Sequence, residues 1–119
     1  PYVQYTYARA KSVLRKAGEA VSGYAIDYHA FTDDITYSLI KTLDGYREAV
    51  LNAAEKYEPS FIARYIISLA TEFNKFYHEC PILRAEEGTK QARLYLTDFV
   101  QSVLKDACGL LGMECPEEM

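Results

Sequence analysis

Tryptophan is absent from the sequence, and cysteine, proline and glycine are sparse, with three, four and six residues. The cysteines, Cys80, Cys108 and Cys115, are odd in number and far apart. They make no C-x-x-C, and neither His29 nor His78 stands at metal-ligand spacing from them. Neither a disulfide framework nor a metal site is expected, which leaves buried or idle thiols in a reducing compartment. The scattered glycines form no G-x-G-x-x-G and no G-K-[ST], so a phosphate-cradling loop is missing. No H-E-x-x-H and no nucleophile elbow occurs. Catalysis by this stretch alone is therefore not expected. No apolar run approaches the roughly 20 residues that cross a bilayer, and no secretory leader is legible. The expected address is the cytoplasm, with no membrane contact.

One more shortage is local. The first acidic residue is Glu19, and before it stand Arg9, Lys11, Arg15 and Lys16, interleaved with Tyr2, Tyr5 and Tyr7. The whole chain carries a net charge of -4. Beyond residue 18 there remain nine basic residues against seventeen acidic ones, a net of -8. Such a body repels phosphate over a Debye length of about 10 Å in moderate salt. A generic polyanion binder is thus excluded. A nucleic-acid contact, if there is one, belongs to the opening segment, where phenol rings can stack on unpaired bases and cations can meet phosphates or base edges.

What is present is helical periodicity, while strand signals are nearly absent. Residues 2–17 predict a first helix with Val3, Tyr7, Ala10, Val13, Leu14 and Ala17 on its packed side. Tyr2, Tyr5, Arg9, Ser12 and Lys16 form a second side, and Gln4, Lys11 and Arg15 a third. Gly18 is a plausible stop. Residues 18–32 show no sustained period and predict a long connection. Asp33 or Asp34 then caps a second helix with Ile35, Leu39, Ile40 and Leu43 as its stripe. Asp44-Gly45 breaks it. A third helix over 46–57 packs through Ala49, Val50, Ala53 and Tyr57.

Pro59 fits a first helical position, and a fourth helix runs to His78, before Pro81. Its apolar positions are Ile62, Tyr65, Ile66, Leu69, Phe73, Phe76 and Tyr77. After a polar loop at 84–89, a fifth helix runs from Thr89 to Leu111. Ala92, Leu96, Phe99, Val100, Val103, Leu104 and Ala107 form its stripe. The predicted fold is all-α, a single-domain bundle of about five helices over residues 1–119. Tyr65 and Tyr95 are expected at the core or its boundary. Spacing alone leaves two readings for Tyr2 and Tyr5: rings packed on a neighbour, or platforms for bases.

Three segments carry a resemblance. Pro1-Tyr2-Val3-Gln4-Tyr5, with Ala8-Arg9, Ser12 and Arg15, resembles the opening of the C-terminal DALR-type anticodon-binding domain of arginyl-tRNA synthetases, enzymes of class I. Glu58-Pro59, Ala63-Arg64-Tyr65 and Phe73-Asn74-Lys75-Phe76-Tyr77-His78 look like that family's long central helix. Ala92-Arg93-Leu94, Leu110-Leu111-Gly112 and Pro116-Glu117-Glu118-Met119 look like its last helix and terminus. The resemblance spans the chain, and three such words in this order are far more specific than any one.

The resemblance implies a parent enzyme that joins arginine to its tRNA using ATP with Mg, in a nucleotide-binding catalytic domain N-terminal to this region. It implies that this chain needs no cofactor and holds the anticodon loop of the arginine tRNA, with the middle cytosine as main identity element. Tyr2 and Tyr5 match aromatic positions facing that loop, and Arg9 a basic position one turn on. Arg15 matches an arginine of the cytosine pocket, Tyr77 an aromatic wall of it, and Met119 the residue whose main chain closes it. Tyr7 stands where the family usually has His, and Glu118 where it usually has Arg. The helical wheel turns Arg15 about a quarter turn from the Tyr2–Tyr5–Arg9 line, so Arg15 is expected to serve a different base. Two other readings remain at this point: a helical protein-interaction module with an acidic surface, and an anticodon domain of another class I synthetase.

Overall fold

The computed structural model describes residues 1–18, 26–116 and 118. Residues 19–25 of the expected connection, and Met119, lie outside the described residues. The described residues form five α-helices and no strand: α1 Tyr2–Ala17, α2 Asp34–Asp44, α3 Tyr46–Lys56, α4 Ser60–Glu79 and α5 Glu87–Leu110. A short 3-10 turn, Tyr28–Phe31, precedes α2. The all-α bundle read from periodicity is therefore the observed architecture.

The helix ends follow local chemistry. Gly18 ends α1 at φ +66°, in the left-handed region, with its N–H on the Arg15 carbonyl. Asp33, and not Asp34, caps α2: its Oδ2 accepts from the Thr36 N–H at 3.0 Å. At Gly45 the chain turns from α2 directly into α3, and the Gly45 N–H closes α2 on the Thr42 carbonyl. Cys80 is extended, as the residue before Pro81 must be, and α4 stops there.

The core is centred on α4. Leu69, Ala70, Phe73 and Phe76 of α4 are fully buried. They face α1, α2, α3 and α5, all of which touch α4. Leu39 and Thr36 of α2, Tyr7 and Ala10 of α1, and Leu94, Val100 and Leu104 of α5 complete the interior. Tyr7 is only 1% exposed, so it belongs to the packed side that periodicity assigned it. Tyr65 spans the boundary, donating its hydroxyl to the Thr42 carbonyl at 2.6 Å and tying α4 to the end of α2. Cys80 and Cys108 are buried thiols. Burial, with the Cys115 thiol alongside, pushes the Cys108 thiol up to about 12, so it stays protonated and inert.

Five expectations are corrected. Tyr57 does not pack: it is 92% exposed and takes the left-handed capping position of α3, φ +52°. Its place on the stripe is lost because the helix ends at Lys56, before the ring could turn inward. Phe99 is 44% exposed, whereas Leu94 is buried. The helix touches α1, α4, α2 and the 3-10 turn, and the residues it buries extend well beyond a single stripe. Phe99 lies outside that buried set, on an open face with Tyr95, Asp98 and Ser102. Tyr95, expected at the core or boundary, is exposed with it. Finally, Pro59 precedes α4 rather than starting it, and α5 begins at Glu87, which shortens the 84–89 loop.

Two outcomes test this packing. Phe73→Ala should destabilise the chain by about 3–5 kcal/mol in a denaturant melt; an unchanged midpoint would show that α4 faces elsewhere. For Asp33, burial pulls the carboxyl pKa up, but the Thr36 backbone and hydroxyl hydrogen bonds outweigh it and hold the pKa below its ordinary value. A carboxyl lowered in the fold stabilises at neutral pH and loses that contribution as pH falls through its folded value. Asp33→Ala should therefore cost about 0.5–2 kcal/mol at pH 7, and its melting curve should converge on the wild type in acid.

Candidate nucleic-acid interface

Helix α1 serves two purposes because its period splits it. Val3, Tyr7, Ala10 and Val13 are buried, whereas Tyr2 and Tyr5 are 46% and 59% exposed. Burying one side against α4 and α5 fixes the rotation of α1, so the other side presents its phenols at set positions.

An open groove of about 610 Å³ runs along this side. Tyr2, Tyr5, Arg9 and Arg15 of α1 line it, with Asn74 of α4 and Glu118. The structure thus brings Arg15 into the same groove as Tyr2 and Tyr5, although the wheel turned it away from their line. The wheel places Cα atoms, but an arginine side chain is long enough to close a quarter-turn offset. Tyr77 goes the other way. It does not line this groove but a neighbouring one of about 460 Å³, together with Lys16, Leu83 and Arg84. Arg9 and Ser12 line both.

The partition between the two grooves is Arg9. Its guanidinium lies 4.4 Å from the Tyr77 ring centroid, in cation–π geometry, and donates to Asn74 Oδ1 at 2.8 Å. Asn74 in turn donates through Nδ2 to the Thr6 hydroxyl at 2.9 Å and to the Tyr2 hydroxyl at 3.0 Å. Arginine has no acceptor, so the Asn74 oxygen must face Arg9 and its amide nitrogen must face α1. The Thr6 hydroxyl donates back to the Tyr2 carbonyl at 2.9 Å. One α4 side chain therefore positions Tyr2, Thr6 and Arg9 together.

Asn74 was missed as a site residue by sequence reasoning. It stood inside the quoted Phe73–His78 word, where its one signal was to be an amide beside a run of aromatics. Glu118, which stands where the family usually has Arg, reaches Arg15 at 3.9 Å. Arg15 is half-exposed and Glu118 largely exposed, so the pair is weak.

The arrangement offers exposed phenol faces for stacking, guanidinium donors and an amide-held floor. Unpaired bases need such groups on their faces and edges. A denaturant double-mutant cycle tests the hub. Arg9→Ala and Asn74→Ala should couple by about 1 kcal/mol; additive effects would show that the 2.8 Å contact does not hold Arg9.

Comparison with known proteins gives the family. Residues 3–119 match the family described as the DALR anticodon binding domain. The chain is 45% identical over 119 residues to an arginine–tRNA ligase of Alkaliphilus metalliredigens and 47% identical over 120 residues to one of Clostridium botulinum. In each case all of this chain aligns and spans 21% of the relative's length. The arginyl-tRNA synthetase structure of Thermus thermophilus superposes with a TM-score of 0.91 at 38% identity, again over all of this chain and 21% of that one. With the family matched over nearly every residue and the fold matched to a solved member, the chain belongs to the DALR anticodon binding domain family.

Proposed function

We propose that this chain holds the anticodon loop of the arginine tRNA, as one part of a longer arginine–tRNA ligase. The observation that carries this is the shared groove. Two exposed tyrosines and two arginines lie along one side of α1, and an α4 amide fixes the upper part of that side.

In this reading Tyr2 and Tyr5 give their faces to splayed bases. Arg15 reads a base edge across the same groove. Cytosine presents an amino donor beside ring-nitrogen and carbonyl acceptors. A guanidinium can meet the acceptors, and the donor needs an oxygen, for which the main chain of Met119, outside the described residues, is the family's candidate. Arg9, held by Asn74 and Tyr77, separates the first base from its neighbour. The step that joins arginine to tRNA, with its ATP and Mg, belongs in this proposal to a catalytic domain elsewhere in the same polypeptide, acting in the cytoplasm. The described residues of this chain group no set of ligands for a metal ion, and no described helix is long and apolar enough to cross a membrane.

The test is binding of arginine tRNA and of the same tRNA with its middle anticodon cytosine replaced. The replacement should weaken binding, and equal affinity would sink the anticodon assignment. Losing a stacking platform costs about 1–3 kcal/mol, and about 1.4 kcal/mol is tenfold. Tyr5→Ala and Arg15→Ala should each lose around tenfold in tRNA affinity, with ATP binding by the longer enzyme unchanged.

A further inference from the structure

We propose that the second groove, where Lys16 and Arg84 lie, is a phosphate subsite that grips the RNA backbone beside the base-reading groove; the proposal rests on the anticodon-loop reading. Three cations line this groove, Arg9, Lys16 and Arg84, and none of its described lining residues is acidic. That is unusual on this body, where acids outnumber bases. Glu86 and Glu87 follow Arg84 closely in sequence, but neither lines the groove. The three cations come from separate places: Arg9 from the middle of α1, Lys16 from its last turn, and Arg84 from the link between α4 and α5.

The groove is suited to charge more than to reading a base. Arg9 covers a face of Tyr77 at 4.4 Å, and Tyr77 is 36% exposed against 59% for Tyr5. Less aromatic surface is therefore open for stacking there. Arg9 already gives Asn74 a hydrogen bond and Tyr77 its face, so Lys16 and Arg84 supply the remaining positive charge. The last turn of α1 carries the partial negative charge of a helix C-terminus. An anion beside it must be met by side chains rather than by main-chain N–H groups, and Lys16 and Arg84 are both exposed there. The groove shares Arg9 and Ser12 with the first one, so a strand whose base occupies one can carry its phosphate into the other.

Phosphate contacts position a nucleic acid without reading it, and each leaves a mark in the salt dependence. The probe is the anticodon stem-loop RNA of the arginine tRNA, alongside the same RNA with its middle cytosine replaced. Binding to the longer protein carrying this chain is measured between about 50 and 200 mM salt. Lys16→Gln and Arg84→Gln should each bind both RNAs more weakly and lower the slope of log affinity against log salt by about 0.7, the value for one single-strand phosphate. The preference for cytosine should be unchanged, and Lys16→Arg should restore the slope. A wild-type slope in both Gln variants would overturn the phosphate site. So would an altered cytosine preference, which would make Lys16 or Arg84 a base reader. Wild-type protein that binds both RNAs equally would refute the anticodon reading instead, while the slopes still decide the phosphate site. Both side chains are exposed, and thermal melts check that the variants stay folded.

Discussion

Everything at the interface depends on how α1 is seated against α4, and the amide of Asn74 is the polar part of that seating. An asparagine side chain offers one acceptor oxygen and two N–H donors. Here the oxygen takes the Arg9 guanidinium and the nitrogen serves Thr6 and Tyr2. Each side chain on α1 that this amide touches is about one helical turn from the next. Hydrophobic burial of Val3, Tyr7, Ala10 and Val13 fixes which way α1 faces. Burial is non-directional, however, and cannot hold a guanidinium or a phenol at a set position. The hydrogen bonds add that direction, and cation–π contact with Tyr77 holds the Arg9 plane on a second side.

Charge explains why such precision matters on this molecule. A uniformly basic protein could bind RNA by attraction alone, with little geometric demand. This chain is acidic, and beyond residue 18 strongly so. Its favourable contacts must be concentrated where Arg9, Arg15, Lys16 and Arg84 come together across two adjoining grooves. On the proposed anticodon reading, repulsion elsewhere would work as selection, because RNA held only loosely would meet the acidic body. Glu118 beside Arg15 partly answers one of the groove's own cations.

The fold was legible because a packed helix writes its buried side every three or four residues. Val3 through Val13, Leu39 with Leu43, and Ile62 through Phe76 all lie where that period put them. The exceptions have physical causes. Tyr57 has an apolar position in sequence, but helix α3 stops one residue short of it. Phe99 stays outside on a helix whose neighbours lie on its other sides, and Leu94 is buried in its place. At the site, Tyr2, Tyr5 and Arg9 were legible as one exposed line of α1, and the groove keeps them together. That Arg15 lines this groove and Tyr77 the neighbouring one was not legible, because a wheel records where a side chain starts and not where a long one ends. Asn74 could not be read at all from spacing, since its partners lie 65 to 72 residues away.

The exchange of Arg15 and Tyr77 between grooves changes what the site can discriminate. A pocket closed by Tyr77 would bring an aromatic wall against the same base as Arg15. In the observed arrangement Arg9 lines both grooves, so Arg15 lies beside Tyr2 and Tyr5 while Tyr77 backs a separate groove. Groups able to stack and to hydrogen-bond are then concentrated on the first groove, and net positive charge on the second. Two neighbouring nucleotides would be treated differently, one by shape and hydrogen bonding, the other by charge. The element that enforces this division is a single guanidinium, and its position is set by an amide on another helix rather than by the helix that carries it.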